Sequence, residues 1–182
     1  MKTKLALTVI LASFLLLPGC STNDENVQES QSASGISSAS KSSAESKSSI
    51  DQTFSKAQDE VIETFVAIAQ SIKDGDIDKL ISFHAYGPKF TEFKNGEPRN
   101  GGEANEAHER AVFGAVTEVV KFDALDLKVA VYYGNVANVT FHSDFHLKFG
   151  SDLVIVNDQI TLLFVKTNGE WKMVHEHHSP LN

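Results

Sequence analysis

The chain has 182 residues, a formal net charge of −8 and only two arginines, Arg99 and Arg110. Binding to nucleic acid depends on clustered cations that neutralise phosphates, so this composition argues against nucleic acid as a partner. It also argues against a polybasic contact with a membrane. Neutral or positively charged small ligands fit this charge more easily.

The amino terminus has the pattern of an exported protein. Lys2 and Lys4 precede an apolar run that is shorter than the roughly 20 residues of a membrane-spanning helix. The run ends in the sequence Leu-Pro-Gly-Cys, which resembles the lipobox of bacterial lipoproteins. The resemblance implies that residues 1–19 are a signal peptide and that Cys20 is acylated and becomes the first mature residue. Because Cys20 is the only cysteine, no intramolecular disulfide can form.

A lipid anchor and a tether follow from this pattern. Several acyl chains on Cys20 would hold the protein stably at a membrane, and no other membrane contact is expected. Ser21 stands where an aspartate would suggest inner-membrane retention. We therefore expect the periplasmic side of the outer membrane, or the outer face of the cell membrane in a host with one membrane. Residues 20–50 are rich in serine and lack aromatic residues, which predicts a disordered tether before a domain over residues 51–182.

The first part of this domain has helical periodicity. Apolar residues at spacings of three, four and seven predict a helix from Asp51 to about Lys73, ended by Gly75. A second, short helix is predicted over 77–83, a short strand over 89–94 and a loop over 96–102. A third helix is predicted from Glu103 to Val119, with Glu109 on its polar edge and an apolar stripe that runs through Ala111 and Ala115.

From residue 122 the apolar period changes to two, which predicts antiparallel strands. One strand contains Leu125, Leu127, Val129 and Val131 on one face. The next has an apolar face made of Ala137, Val139, Phe141, Phe145 and Leu147. A third long strand, over residues 153–165, is apolar on both faces, so a second copy of the sheet is expected to cover one of them and form a homodimer. The whole order predicts an α+β fold with three helices lying across one face of a curved antiparallel sheet.

The final strand has an unusual face. The turn pair Asn168-Gly169 leads into it, and strict alternation places one set of side chains together. A row of indole, thioether, imidazoles and hydroxyl is typical of the wall of a semi-polar pocket. Alternation would turn His178 away from that pocket. The predicted wall consists of Trp171, Met173, His175, His177 and Ser179.

The same strand carries a family resemblance. Trp171, Val174, His175, His177 and Ser179 resemble the closing strand of the SnoaL-like branch of the nuclear transport factor 2 (NTF2)-like superfamily. They are also similar to the end of the association domain of calmodulin-dependent protein kinase II. The resemblance implies a cone with a pocket between sheet and helices, usually in a dimer or larger assembly. It also implies that two further residues, His84 and Glu92, border the pocket.

Several chemistries remain open at this stage. His175 and His177 could orient a ligand or move a proton, or be structural residues with satisfied hydrogen bonds, so no catalytic residue is assigned. His142 and His146, with Asp144 between them, share a strand face, but four residues along a strand span roughly 13 Å, so a solvated face is expected rather than a metal site. No cofactor is expected.

The sequence thus predicts a lipid-anchored, exported domain that binds a small, largely apolar ligand or a protein partner in its cone. The alternatives are a proton-transfer enzyme of isomerase or dehydratase type and an assembly module that acts through its sheet face.

Overall fold

The computed structural model of the protein describes residues 49–181. The predicted signal peptide, the lipidated Cys20 and the tether up to residue 48 lie outside the described residues. Ser49–Asp51 forms a single 3-10 turn. In the described part of the chain, no helix combines the length and the apolar character that a membrane crossing requires.

The first two helices lie where the sequence predicts them. α1 spans Ser55–Asp74 and buries an apolar stripe that includes Val61 and Phe65. Gly75 ends it with a φ of 67°, a left-handed conformation in which glycine carries no steric penalty. α2 spans Ile77–Ser82, and the Asp76 carboxylate caps it by accepting a hydrogen bond of 2.9 Å from the Lys79 amide.

The third helix, α3, is shorter than predicted and turns a different face toward the interior. It spans Gly102–Phe113, and Gly114 ends it five residues before the predicted Val119. Its buried residues are Gly102, Asn105 and Glu109. The predicted apolar stripe through Ala111 and Ala115 is wrong, because both alanines are exposed. The helix therefore turns a polar face toward the interior.

Seven strands form one curved sheet in which only the β1–β7 pairing is parallel. Its hydrogen-bonded order is β2-β1-β7-β6-β4-β3, and β5 pairs with β4. The segment predicted as a loop over 96–102 contains β2, which pairs with β1 through the Asn95-Gly96 turn. The strand bounds are β1 Thr91–Lys94, β2 Glu97–Asn100, β3 Glu118–Tyr132, β4 Val136–Phe149, β5 Asp152–Val156, β6 Asp158–Thr167 and β7 Glu170–Pro180.

The third long strand of the prediction is two strands, β5 and β6. Ser143 on β4 explains the break, because its hydroxyl accepts a hydrogen bond of 2.8 Å from the Asp158 amide and donates one of 3.0 Å to the Val156 carbonyl. The side chain thus takes the place of backbone pairing at the junction. β5 continues along the distal half of β4, while β6 pairs with its proximal half.

Two bulges reverse the predicted alternation. In β3 the pairing with β4 shifts between Leu125 and Lys128, so Val129 packs on the core while Leu125 and Leu127 are exposed. In β7 the pairing with β6 shifts at Val174. An extra residue in one strand turns every following side chain to the opposite face. The β4 face predicted to be apolar is confirmed, and its buried residues are Ala137, Val139, Phe141, Phe145 and Leu147.

The core lies between α1 and the concave face of the sheet. This mixed α+β arrangement, with helices over a curved sheet that does not close, confirms the predicted fold class.

Candidate functional site

A cavity of about 80 Å³ lies inside the cone, between the helices and the sheet. Most of its wall is apolar and aromatic, with residues such as Phe65, Phe141 and Leu162. Two larger hollows, of about 710 and 700 Å³, are open grooves on the surface. The polar side chains of the cavity belong to β1, α3, β7 and the segment after α2, and they are His84, Lys94, Glu109, Glu176 and His178.

The bulge at Val174 decides which side chains of β7 meet this cavity. Leu163 of β6 pairs with His175, and the next residue pairs with Met173, so Val174 is the extra residue. Met173 lines the cavity before the bulge. After the bulge, Glu176 and His178 face inward, and His175 and His177 face outward.

The predicted wall is therefore wrong beyond Met173. His175 lies on the outer face, within hydrogen-bond distance of the Thr91 hydroxyl (2.8 Å), and His177 is exposed. Both rings pack edge-on against the exposed Phe93. The prediction that His178 faces away from the pocket is also wrong, for the same reason.

The other predicted pocket residues are distributed over several environments. His84 lines the cavity, and Glu92, which is 1% exposed, lies in a polar cluster next to it. Trp171 is buried away from the cavity and donates a hydrogen bond of 3.2 Å from Nε1 to Glu60. Ser179 pairs with Gln159 near the end of β7 and does not line the cavity.

Glu176 is the centre of a buried ionic group. Its Oε1 lies 3.0 Å from His84 Nε2, and its Oε2 lies 3.3 Å from His178 Nε2. Burial disfavours its charged form, but the hydrogen bonds from His178 and His84, together with their charges, outweigh this and lower the pKa of Glu176 below its ordinary value. His84 Nδ1 lies 3.1 Å from the Leu80 carbonyl, so the two ring nitrogens of His84 join the end of α2 to Glu176.

A second carboxylate is joined to this group through an amide. Asn105, which is fully buried, donates through Nδ2 to Glu92 (3.0 Å) and to Glu176 (3.4 Å). The Tyr86 hydroxyl donates to Asn105 Oδ1 at 2.6 Å, which fixes the orientation of the amide. Arg99 of β2 reaches in from a partly exposed position and donates to Glu92 at 3.1 Å.

Glu109 differs from both of these carboxyl groups. It is 7% exposed, lines the cavity and has no hydrogen bond to any side chain among residues 49–181. Burial, followed by the negative charge of Glu176, raises the pKa of Glu109 well above its ordinary value. Glu109 therefore keeps its proton at a pH at which an exposed glutamate would have lost it. The cavity wall thus contains one carboxyl group favoured as the acid and another favoured as the anion.

The structure gives little support for a metal centre. Within residues 49–181, no group of three or more histidine, cysteine, aspartate or glutamate side chains has the geometry to hold a metal ion. The histidines of β4 form pairs on the outer face, His146 with Asp144 at 2.8 Å and His142 with Asp126 at 3.3 Å.

Sequence reasoning missed most of the polar wall. Glu109 was assigned to the polar edge of α3 and Asn105 was not singled out, although their spacing of four and the preceding Gly102 mark one helix face. Glu176 and His178 were lost through the bulge. Lys94 gave no signal of its own, because a lysine in a short strand beside a turn is ordinarily exposed.

Comparison with solved structures places this architecture in a known class. An NTF2-like protein from Streptomyces avermitilis, proposed to be a dehydratase, has a TM-score of 0.63 and 20% identity, covering 71% of this chain and 99% of that one. A protein from Novosphingobium aromaticivorans, proposed to be an aromatic ring hydroxylase, has a TM-score of 0.62 and 16% identity, covering 72% and 93%. The CamKII hub homology domain of Chlamydomonas reinhardtii has a TM-score of 0.55 and 19% identity, covering 69% and 98%. The fold is therefore NTF2-like.

The family follows from the sequence match. The family model of the SnoaL-like domain matches residues 61–182, and the chain belongs to that family. No curated protein matches the chain.

Proposed function

We propose that this domain binds a small, largely apolar molecule bearing one polar oxygen atom in the cone cavity. The observation that carries the proposal is the Glu109 carboxyl group, which lines an aromatic cavity, has a raised pKa and has no side-chain hydrogen bond among the described residues. Buried polar groups are normally hydrogen-bonded, so a ligand oxygen that accepts from Glu109 would complete this wall. The remaining contacts would be apolar.

The cavity volume limits the ligand. An apolar cavity of about 150 Å³ admits benzene, and this cavity is about half that size at 80 Å³. A ketone or alcohol of about four or five heavy atoms is therefore the largest ligand expected without a change in the surrounding side chains.

A binding titration with 2-butanone tests the proposal. We expect amide and methyl NMR shifts confined to cavity residues such as Phe141 and Met173. Ala69→Leu, which adds volume to the cavity wall, should abolish them, while Val66→Leu on the exposed side of α1 should not. Mass spectrometry of molecules that copurify with the native protein would identify the natural ligand. Shifts that persist in Ala69→Leu, or that are absent in the wild type, contradict the proposal.

A second candidate is a proton-transfer reaction of isomerase or dehydratase type. It is favoured by the opposite pKa directions of Glu109 and Glu176 in one wall, since a pair separated in this way divides acid and base roles. Glu109 would donate to a substrate oxygen. In its neutral form, with Nε2–H donated to Glu176, His178 would offer Nδ1 as the base, in place of the outward-facing His175 and His177.

Hydrogen–deuterium exchange next to the carbonyl of 2-butanone tests this candidate. Exchange faster than in buffer, lost in His178→Gln and kept in the exposed control His177→Gln, would support it. Exchange at the buffer rate at ligand saturation would exclude proton abstraction and leave binding alone.

We also propose that the protein works at the cell envelope, anchored through Cys20. Changing Cys20 to serine should release it from the membrane fraction. Removal of residues 1–50 should leave a folded domain. A dimer through the outer sheet face is the expected assembly, since Leu153 and Ile155 of β5 are more than half exposed, at 52% and 53%.

A further inference from the structure

A continuous row of polar contacts joins the β1–β2 hairpin to the cavity. It begins at Arg99, which is partly exposed, and passes through Glu92 and Asn105 to Glu176 in the cavity wall. The three hydrogen bonds measure 3.1, 3.0 and 3.4 Å. Every member after Arg99 is buried. The row therefore places the Arg99–Glu92 ion pair close to Glu176 in the cavity wall, although Arg99 itself does not line the cavity.

We propose that the β1–β2 hairpin tunes the cavity from outside: the Arg99–Glu92 ion pair, linked by Asn105 to Glu176, sets the charge state of Glu109 and hence the pH range in which the cavity accepts a neutral ligand.

The first step of the argument is the orientation of Asn105. Tyr86 donates to its oxygen, so its nitrogen must face the two carboxylates. Both Glu92 and Glu176 are therefore acceptors. Each also has a basic partner, Arg99 for Glu92 and His84 for Glu176. Glu109 is the third carboxyl group of the cluster and has no ion pair in the described residues.

The second step concerns the charges that act on Glu109. The cavity residues of α1, β3, β4 and β6 are all apolar, so no titratable group faces Glu109 from those elements. Glu176 and Glu92 favour its protonated form, while Lys94 and Arg99 favour its ionised form. In a water-poor interior such charges are weakly screened. The titratable or charged groups around it are His84 and Tyr86 after α2, Glu92 and Lys94 on β1, Arg99 on β2, His108 on α3, and Glu176 and His178 on β7.

The third step predicts opposite signs for two variants. Arg99→Gln leaves Glu92 without its cation, so the titration midpoint of Glu109 should move upward by about one pH unit. Glu92→Gln leaves Arg99 without its anion, so the midpoint should move downward by a similar amount. Simple loosening of the site would admit water and move the midpoint downward in both variants. Only the electrostatic role gives opposite directions.

The experiment is a pH titration of the full chain, labelled with carbon-13 at the glutamate side-chain carboxyl groups. Glu109→Gln identifies the Glu109 signal. Arg99→Lys keeps the charge and should stay near the wild type. Glu97→Gln is the matched control, because Glu97 also contacts Arg99, at 3.8 Å, but is 80% exposed at the side chain.

Opposite shifts in Arg99→Gln and Glu92→Gln, with little change in Glu97→Gln, support the proposal. Equal shifts in one direction, or no shift in Arg99→Gln, overturn it. If Arg99→Gln does not fold, Arg99→Met, which keeps the aliphatic stem and removes the charge, takes its place: an upward shift of the Glu109 midpoint supports the coupling, and a downward or absent shift overturns it.

The predicted pH range of ligand binding rests on the proposed function, whereas the titration of Glu109 does not. In the same variants the pH at which 2-butanone affinity falls should follow the Glu109 midpoint. If Glu109 shifts as expected and 2-butanone does not bind, the binding proposal fails and the electrostatic coupling stands. If 2-butanone binds but its pH range is unchanged in variants whose Glu109 midpoint moves, the coupling does not govern the ligand.

Discussion

Replacement of Glu176 by leucine is the sharpest test of the buried ionic group. The wild-type carboxylate accepts from His84 at 3.0 Å, from His178 at 3.3 Å and from Asn105 at 3.4 Å. Leucine accepts nothing, so the buried His84 and Asn105 and the partly buried His178 lose this acceptor. Each such loss of a buried partner costs about 1–3 kcal/mol, but an imidazole can be neutral and Asn105 keeps a second acceptor. The sum should therefore resemble the loss of one partner of a buried ion pair, about 3–5 kcal/mol.

The assay is urea unfolding followed by the fluorescence of Trp171, the only tryptophan, which is 4% exposed. Glu176→Gln keeps one acceptor and the side-chain shape, so it should cost less than half as much as Glu176→Leu. The double variant His84→Leu/Glu176→Leu should recover about 1 kcal/mol or more relative to the sum of the single variants, because no unpaired charge remains. A cost below about 1 kcal/mol for Glu176→Leu, or strict additivity, would refute the ionic group as a structural unit.

Three further predictions concern single positions. Because the folded-state pKa of Glu109 is raised, its contribution to stability is full below the ordinary value of 4.5 and is lost as the pH rises from there through the folded-state pKa. Glu109→Gln should therefore flatten the fall in unfolding free energy as the pH rises above 4.5, measured by urea unfolding. Gly102→Ala should cost about 1–3 kcal/mol because its Cβ would overlap Tyr86, whereas Gly87→Ala, with open space around it, serves as the control in thermal unfolding. Ser143→Ala should cost about 1–3 kcal/mol by removing the hydroxyl at the β5–β6 junction, and amide exchange should then be fastest at that junction.

The Glu176 pair has the opposite pH dependence to Glu109. Because the folded-state pKa of Glu176 is lowered, its contribution to stability is present above the ordinary value of 4.5 and is lost as the pH falls. The two carboxyl groups together predict a stability maximum between the acidic and alkaline limits.

The helix and strand order was predictable because it depends on local patterns. Apolar spacing in α1, the left-handed glycine after it and the Asn168-Gly169 turn each act within a few residues. The resemblance of the closing strand then indicated the cone. None of these signals depends on contacts between distant parts of the chain.

The cavity wall was not predictable in the same way, because bulges and helix ends depend on tertiary pairing. Strict alternation along β7 assigns Val174 an ordinary position, but in the pairing with β6 Val174 is an extra residue. The same problem affects β3 near Asp126, which has a φ of 54°. Glu109 was placed on the solvent side because a glutamate is rarely buried without a charged partner. Its position follows from the orientation of α3, which no local pattern specifies.

The extra residue in β7 has a consequence for how this cavity can change. Because Val174 is the residue of β7 without a partner on β6, its deletion would restore regular pairing and leave Glu176 and His178 facing inward. His175 and His177 would turn inward only if Val174 took the place of His175 opposite Leu163, which moves every following residue of β7 by one position. A one-residue register shift of the strand, rather than loss of the bulge residue, is therefore the route from a lining with a carboxylate to one with only imidazoles.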